Sequence, residues 1–290
     1  MRKPLNKYWV VLTLLLIGAF GVGAYQNRQQ DTQPSNVSDT VCARLTNAIE
    51  ISSCYAKQLA TRAETVPAAD LLNEARGLQR AGAVTDCHLI AHAIGNAVLT
   101  KHRGDIGASF IECNHNCVDG CFHGVMESTI SNQRDTGQDI TAFAAEACTP
   151  FTEPVTRRQC VHGLGHGIMG HSGLTLAEAT DACVRIFQTT GVEPCTSGIL
   201  MEYTTKKLYQ ANANLKSAVP TICTEAETID KTGKPGFFPA CANALGQGLM
   251  LFTGYNLEQS LGLCNTLPQA QAAVCAWSAN QENLDHQLDP

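Results

Sequence analysis

Metal-ligating side chains occur along the chain in pairs whose members are four residues apart. Residues at this spacing lie on one face of an α-helix, one turn from each other. Imidazole and carboxylate groups are ligands that proteins offer to Zn, Fe, Cu and Mn. The sequence therefore predicts a site for one or two transition-metal ions. Its candidate ligands are His88, His92, His123, Glu127, His162 and His166.

Glu127 has a second possible role in this site. If the protein is an enzyme, the metal would activate water or dioxygen, and Glu127 would be the catalytic acid or base. Asp119 and Glu202 are expected to accept hydrogen bonds from ligand imidazoles, and His115 is a possible further ligand.

Two alternatives remain open at this point. Histidines on apolar helices are often hydrogen-bonded core residues, so these paired side chains could be a structural ladder of hydrogen-bonded groups. The protein would then be a protein- or peptide-binding scaffold with no metal and no catalysis. Non-covalent haem held by two of the histidines is a third possibility.

The paired ligands recur because the chain is a repeat. Most units of the repeat contain a pair of cysteines. Starting from Cys87, the second cysteine of each successive pair follows the previous one after 34, 39, 35, 46 and 34 residues. This period is typical of stacked two-helix units. Later units carry Ser197 with Met201, and Asn243 with Gln247, at the paired positions. In a stack with helices about 8–10 Å apart, these positions would converge on one inner surface.

The helices themselves have recognisable boundaries. Asp105, Asp139 and Asn256 precede first helices and suit N-caps. No run alternates long enough to indicate β-strands. We therefore expect an all-α domain over residues 41–282, built from disulfide-stapled two-helix repeats that form an α-solenoid or a closed helical ring, with a polar tail at 283–290. In architecture only, this resembles tetratricopeptide-like helical repeat proteins, and no activity follows from the resemblance.

Fourteen cysteines predict a disulfide framework. A bridge that closes a loop of about a dozen residues contributes roughly 3 kcal/mol. Three connectivities are possible among Cys87, Cys113, Cys117 and Cys121. The predicted bridges are Cys42–Cys54, Cys148–Cys160, Cys183–Cys195, Cys223–Cys241, Cys264–Cys275, Cys113–Cys121 and the residual pair Cys87–Cys117.

The N-terminus predicts the compartment. Within residues 1–25, a short basic segment precedes an uncharged apolar run from Trp9 to Ala24. This is the pattern of an N-terminal hydrophobic helix that acts as a membrane anchor or as a cleaved signal peptide. The polar composition of residues 26–40 predicts a linker. The body is expected to be extracytoplasmic, either membrane-anchored or secreted or periplasmic after cleavage.

Charge limits the range of partners. After the first thirty residues, 16 Lys and Arg face 26 Asp and Glu. This excludes nucleic-acid binding by phosphate neutralisation. The expected partners are the membrane, through the N-terminal helix, and a possible protein in the concave groove.

Glycines crowd the segment around His162 and His166. Each glycine inside a helix costs about 1 kcal/mol relative to alanine, so the backbone must approach either a neighbouring helix or a ligand. The remaining histidines, His102 and His286, are expected to be solvated.

Overall fold

A computed structural model describes residues 41–135, 139–187, 191–211, 214–231 and 237–288. These residues are helical and contain no β-strand, so the all-α prediction is confirmed. Residues 1–25 and 26–40, where the anchor or signal and the linker were expected, lie outside the described part. Among the described helices, none combines the length and the apolarity that a membrane span requires.

Long helices alternate with shorter ones along most of the chain. After a 3₁₀ turn at Cys42–Arg44, the helices are α1 (Ala48–Arg62), α2 (Ala68–Arg80), α3 (His88–Lys101), α4 (Ile106–Glu112), α5 (Gly120–Asp135), α6 (Ile140–Ala147), α7 (Pro154–His171), α8 (Leu176–Phe187), α9 (Val192–Ala211), α10 (Leu215–Ile222), α11 (Thr224–Lys231), α12 (Phe237–Phe252), α13 (Leu257–Cys264) and α14 (Gln269–Leu288). Helices α1, α3, α5, α7, α9, α12 and α14 pack against one another in this order. They form the row that carries the candidate ligands.

Local capping fixes where the short helices begin. The side chains of Asp105, Asp139 and Asn256 each accept a hydrogen bond from a backbone N–H two or three residues further along. This confirms the three predicted N-caps. Glu153 caps α7 in the same way, with Pro154 at the first helical position, where a missing N–H costs nothing.

Six disulfide bridges join a short helix or loop to the next long helix, and the seventh, Cys87–Cys117, joins the start of α3 to the loop before α5. All fourteen cysteines lie in seven pairs at bonding distance, with Cα atoms 5.3–5.9 Å apart. These are the pairs that the spacing predicts, including Cys87–Cys117 and Cys113–Cys121. So many bridges indicate an oxidising, extracytoplasmic environment.

Glycines let the long helices approach to backbone contact. A Cβ atom on Gly95 of α3 would meet the carbonyl oxygen of Cys121 in α5, and one on Gly124 of α5 would meet the carbonyl oxygen of His92 in α3. The two helices are therefore locked together reciprocally. The same kind of contact with a neighbouring backbone is made at Gly165, Gly198 and Gly246.

The other glycines near the histidines also face protein. A Cβ on Gly163 would lie 3.0 Å from side-chain atoms of Met126, and one on Gly167 would lie 2.8 Å from Ile130. Close helix packing accounts for these glycines, and no ligand is needed to explain them.

The end of the chain departs from expectation. Residues 283–288, expected in a polar tail, continue α14. His286 was expected to be solvated, which was wrong: its ring stacks on Tyr255 at 3.8 Å, and its Nε2 lies 3.3 Å from the carbonyl oxygen of Thr85. His102 instead lies 2.6 Å from Glu112. A single sequence does not reveal that the last helix returns to the first repeat.

Replacing Gly246 by alanine tests the close packing. We expect Gly246→Ala to lower the free energy of unfolding by about 1–3 kcal/mol or more, because its Cβ would be forced into the backbone of α14. Gly77→Ala is the matched control, since Gly77 is exposed within α2 and has nothing near it. That change should stabilise by about 0.5–1 kcal/mol. Thermal unfolding measures both, and equal effects would contradict the packing.

Candidate metal centre

The structure brings five of the predicted ligand side chains, all imidazoles, into one cluster. The rings come from three consecutive long helices, α3, α5 and α7, and neighbouring ring centroids lie 4.6–6.1 Å apart. The residues are His88, His92, His123, His162 and His166. Packing of α3 and α7 on either side of α5 explains this convergence.

Two imidazoles from α3 face each other through ring nitrogens. Nδ1 of His88 lies 2.9 Å from the carbonyl oxygen of Cys117, and Nδ1 of His92 lies 3.0 Å from the carboxylate of Glu127. Both partners accept hydrogen bonds, so both Nδ1 atoms carry hydrogen. In the neutral rings the two Nε2 atoms then hold lone pairs. These Nε2 atoms are 3.0 Å apart.

Lone pairs at this distance repel unless a cation lies between them. Two nitrogens bound to one ion at about 2.0–2.1 Å, with an angle of about 90–110°, are about 2.9–3.4 Å apart. The separations of 3.0 Å for His88 with His92, and of 3.2 Å for His162 with His166, lie in this range. Either a proton or a metal ion could satisfy the first pair.

Electrostatics places the proton on His92 in the metal-free protein. Burial lowers the pKa of His88 to about 3, with a further contribution from the charge of His92. Burial also opposes a charge on His92, but the charge and hydrogen bond of Glu127 outweigh it and raise the pKa of His92. Burial would raise the pKa of Glu127, yet His92 and then His166 lower it to about 2. When the pair carries a proton, the proton therefore lies on His92, beside the carboxylate of Glu127.

His123 occupies the centre of the cluster without hydrogen bonds. Its residue is only 3% exposed, and neither ring nitrogen has a hydrogen-bond partner among the described residues. Burial, followed by the charge of His166, lowers the pKa of His123 well below its usual value. An unsatisfied buried nitrogen costs about 1–3 kcal/mol. A metal ion at this ring would remove that cost.

Possible ligand atoms form three groups, each within 4.8 Å. They are His88, His92 and His123; His123, His162 and His166; and Glu127, His166 and Glu202.

The third group includes a side chain that sequence reasoning placed differently. Glu202, expected to accept hydrogen bonds outside the ligands, lies with an oxygen 3.6 Å from Nδ1 of His166. An oxygen of Glu127 lies 3.8 Å from the same buried nitrogen, which has no hydrogen-bond partner in the described part of the chain. In the sequence, Glu202 comes directly after Met201, one of the paired positions of the repeat. Only the fold shows that the carboxylate of Glu202 joins the cluster.

Other predicted residues lie apart from these groups. Asp119 accepts hydrogen bonds from His115 at 2.6 Å and from Gln159 at 2.5 Å, and the His115 side chain is 65% exposed. Neither belongs to a ligand group. In the later units, Met201 and Gln247 line a cavity beside the histidines. The candidate ligands at the paired positions thus come from α3, α5 and α7.

A left-handed turn, not foreseen from the sequence, holds His88. Cys117, Val118 and Asp119 have φ angles of 56°, 50° and 60°, a conformation that costs roughly 1–2 kcal/mol for each such residue. Bridges from Cys87 to Cys117 and from Cys113 to Cys121 flank this turn. The turn aims the Cys117 carbonyl at His88 and thereby sets its tautomer.

Two cavities reach the cluster. One, of about 590 Å³, is lined by ligand candidates from α3, α5, α7 and α9 and by apolar side chains. The other, of about 520 Å³, is lined in part by serine and asparagine side chains such as Ser128 and Asn132. His92 and Glu127 line both cavities, so small molecules could approach these two residues from two directions.

Comparison with known proteins provides no further assignment. No family model, no curated protein and no solved structure matches this chain.

Substitution of His123 separates stability from metal binding. We expect His123→Leu to raise the free energy of unfolding of the metal-free protein by about 1–3 kcal/mol, because two unsatisfied buried nitrogens disappear. Metal should then stabilise the wild type more than the variant. Thermal unfolding with and without metal, at intact disulfides, measures both effects.

His123→Gln is the control, since it keeps a buried polar group and should bring no gain. A His123→Leu protein that is less stable than the wild type without metal would contradict this account.

Proposed function

We propose that this chain is an extracytoplasmic metal protein whose histidine cluster binds transition-metal ions. The observation that supports it most is the buried ring of His123 at the centre of the cluster, since neither of its nitrogens has a hydrogen-bond partner among the described residues. Beside it, the Nε2 atoms of His88 and His92 face each other at 3.0 Å, a separation that one bound ion also gives. A structural ladder of histidines would pair each ring nitrogen with a partner. Here, the buried nitrogens of His123 and Nδ1 of His166 have no partner among the described residues.

The ligand groups favour two ions. The group of His88, His92 and His123 shares no residue with the group of Glu127, His166 and Glu202, so both can be filled together. The hydrogen bond from His92 to Glu127 joins them, as a carboxylate often orients a ligand imidazole. The all-histidine group suits Zn or Cu, and the carboxylate-rich group suits Mn or Fe.

Catalysis is proposed at the second group. Glu127, His166 and Glu202 all line the 590 Å³ cavity, and three protein ligands leave coordination positions open on that side. A metal ion bound there would lower the pKa of bound water or bind dioxygen. Glu127, in contact with His92, would hold or pass on a proton when it is not itself a ligand.

Architecture and attachment complete the proposal. The row of long helices would form a curved solenoid that closes towards a ring. In support, His286 of the last helix contacts Thr85 beside the first ligand helix. The hydrophobic segment within residues 1–25 would tether the domain to a membrane. A protein or peptide partner in the concave groove is the remaining expectation.

Elemental analysis of untagged protein, metal-stripped and reloaded, tests the proposal. The wild type should retain between one and two ions per chain after desalting. His88→Ala and His166→Ala should lower the content, since each removes a ligand atom from one of the two groups. Glu202→Ala should remove only the second ion.

His115→Ala is the control, because this histidine is exposed and lies outside the groups. Wild-type protein that retains far less than one ion per chain after reloading would contradict a metal centre and favour the scaffold. Metal content lowered equally by His115→Ala would indicate adventitious surface binding.

A further inference from the structure

The larger cavity has the size and the walls of a site for an organic molecule. Its volume is about 590 Å³, within the range of about 300–1,000 Å³ that small-molecule sites occupy. Leu89, Met201, Ala244 and Leu251 provide apolar wall. A metal ion with its waters would leave most of this apolar surface without a partner.

Carboxylates outside the ligand groups also line this cavity. Asp86, which is 7% exposed, precedes α3, and Glu282 belongs to α14. Asp86 accepts a hydrogen bond from the backbone N–H of His88, and Glu282 accepts one from the hydroxyl of Tyr255 at 3.2 Å. Burial, and then the charge of Asp86, raise the pKa of Glu282 to about 7. The two carboxylates therefore disfavour two negative charges in the same cavity.

Asp86 and Glu282 form no salt bridge with a lysine or arginine in the described part of the chain. Lys206 lines the cavity but is exposed and makes no ion pair with them. Positive charge on His286 or His92 would favour a negative charge on Asp86. However, His92 already donates a hydrogen bond to Glu127, and the ring of His286 stacks on Tyr255. The acidic pair consequently lacks a dedicated positive partner.

Neighbouring groups match a cation with an apolar body. Tyr209 and Tyr255 line the cavity together with Asp86, and aromatic faces attract ammonium groups. Nδ1 of His166, in a residue only 4% exposed, also lies in the lining without a hydrogen-bond partner among the described residues. Glu127 and Glu202 add negative charge, which disfavours an anionic ligand.

We propose that this cavity binds an organic cation, an amine with an apolar body, whose ammonium group lies between Asp86 and Glu282. The apolar body lies along Leu89, Met201 and Leu251. The end of the molecule opposite the ammonium group then lies near Glu127, His166 and Glu202. The binding itself does not require the metal. If the proposed metal centre is present, amines of this kind would be its substrates or effectors, and that role rests on the proposed function.

Isothermal titration calorimetry on chelator-treated wild-type protein tests the inference with matched probes. They are 2-phenylethylammonium, neutral 2-phenylethanol, anionic 3-phenylpropionate and ammonium chloride. We expect the first to bind at least about tenfold more tightly than each of the others, because only it has both charge and apolar body. Equal binding of the alcohol, or tighter binding of the anion, would overturn the proposal. So would ammonium chloride competing as well as the full amine, which would indicate a site for small inorganic cations.

Asp86→Asn and Glu282→Gln locate the ammonium group. Each should weaken 2-phenylethylammonium at least about tenfold, whereas the matched change Glu258→Gln at an exposed position should leave it unchanged. Unaltered affinity in both cavity variants would overturn the proposal. If a variant fails to fold, the four probes on wild-type protein still decide. Failure of metal binding in the earlier experiment would leave this result unaffected, so the two proposals can fail separately.

Discussion

Backbone-to-backbone contact between consecutive long helices is the constraint on which the site depends. At Gly95 and Gly124, α3 and α5 each place a glycine against a carbonyl oxygen of the other helix, and α7 and α9 do the same at Gly165 and Gly198. Any side chain at these positions would push the helices apart. Rings one turn along the same helices would then separate, and a single ion could no longer reach nitrogens of α3 and α5 together. The glycines are costly within a helix, and the convergence of the imidazoles is what they make possible.

Bringing the imidazoles together in a buried cluster costs free energy of folding, which the rest of the structure must offset. Burial disfavours protonation of His88, His123 and His162, and His123 makes no hydrogen bond with the described residues. The left-handed turn at Cys117 adds backbone strain beside His88. Seven disulfide bridges restrict the unfolded chain, and the strongly packed apolar row of helices adds burial. The disulfide bridges and the packed helices thus offset the cost of the unsatisfied imidazoles and the strained turn. Local strain that the surrounding structure offsets is typical of functional sites.

Much of this arrangement could be predicted from the sequence, and the exceptions share one cause. Cysteine spacing predicted six of the pairs because those bridges each close a short segment of the chain, and Cys87–Cys117 followed as the remaining pair. The four-residue spacing of His88 with His92, and of His162 with His166, predicted a shared helix face for the same reason. Glu202 in a ligand group, the contact of His286 with Thr85 and the cavity depend on contacts between units. A single sequence does not show these contacts, since they depend on how the helices of different units pack against one another.

The central claim is that imidazoles from separate helices bind a common ion, and anomalous diffraction from metal-loaded crystals tests it most directly. Data collected on either side of the absorption edge of the metal should give a peak among His88, His92 and His123, with nitrogens at about 2.0–2.1 Å if the ion is zinc. A second peak is expected among Glu127, His166 and Glu202. Peaks found only at the molecular surface, or none within the cluster at full loading, would contradict the account and leave a stapled helical scaffold.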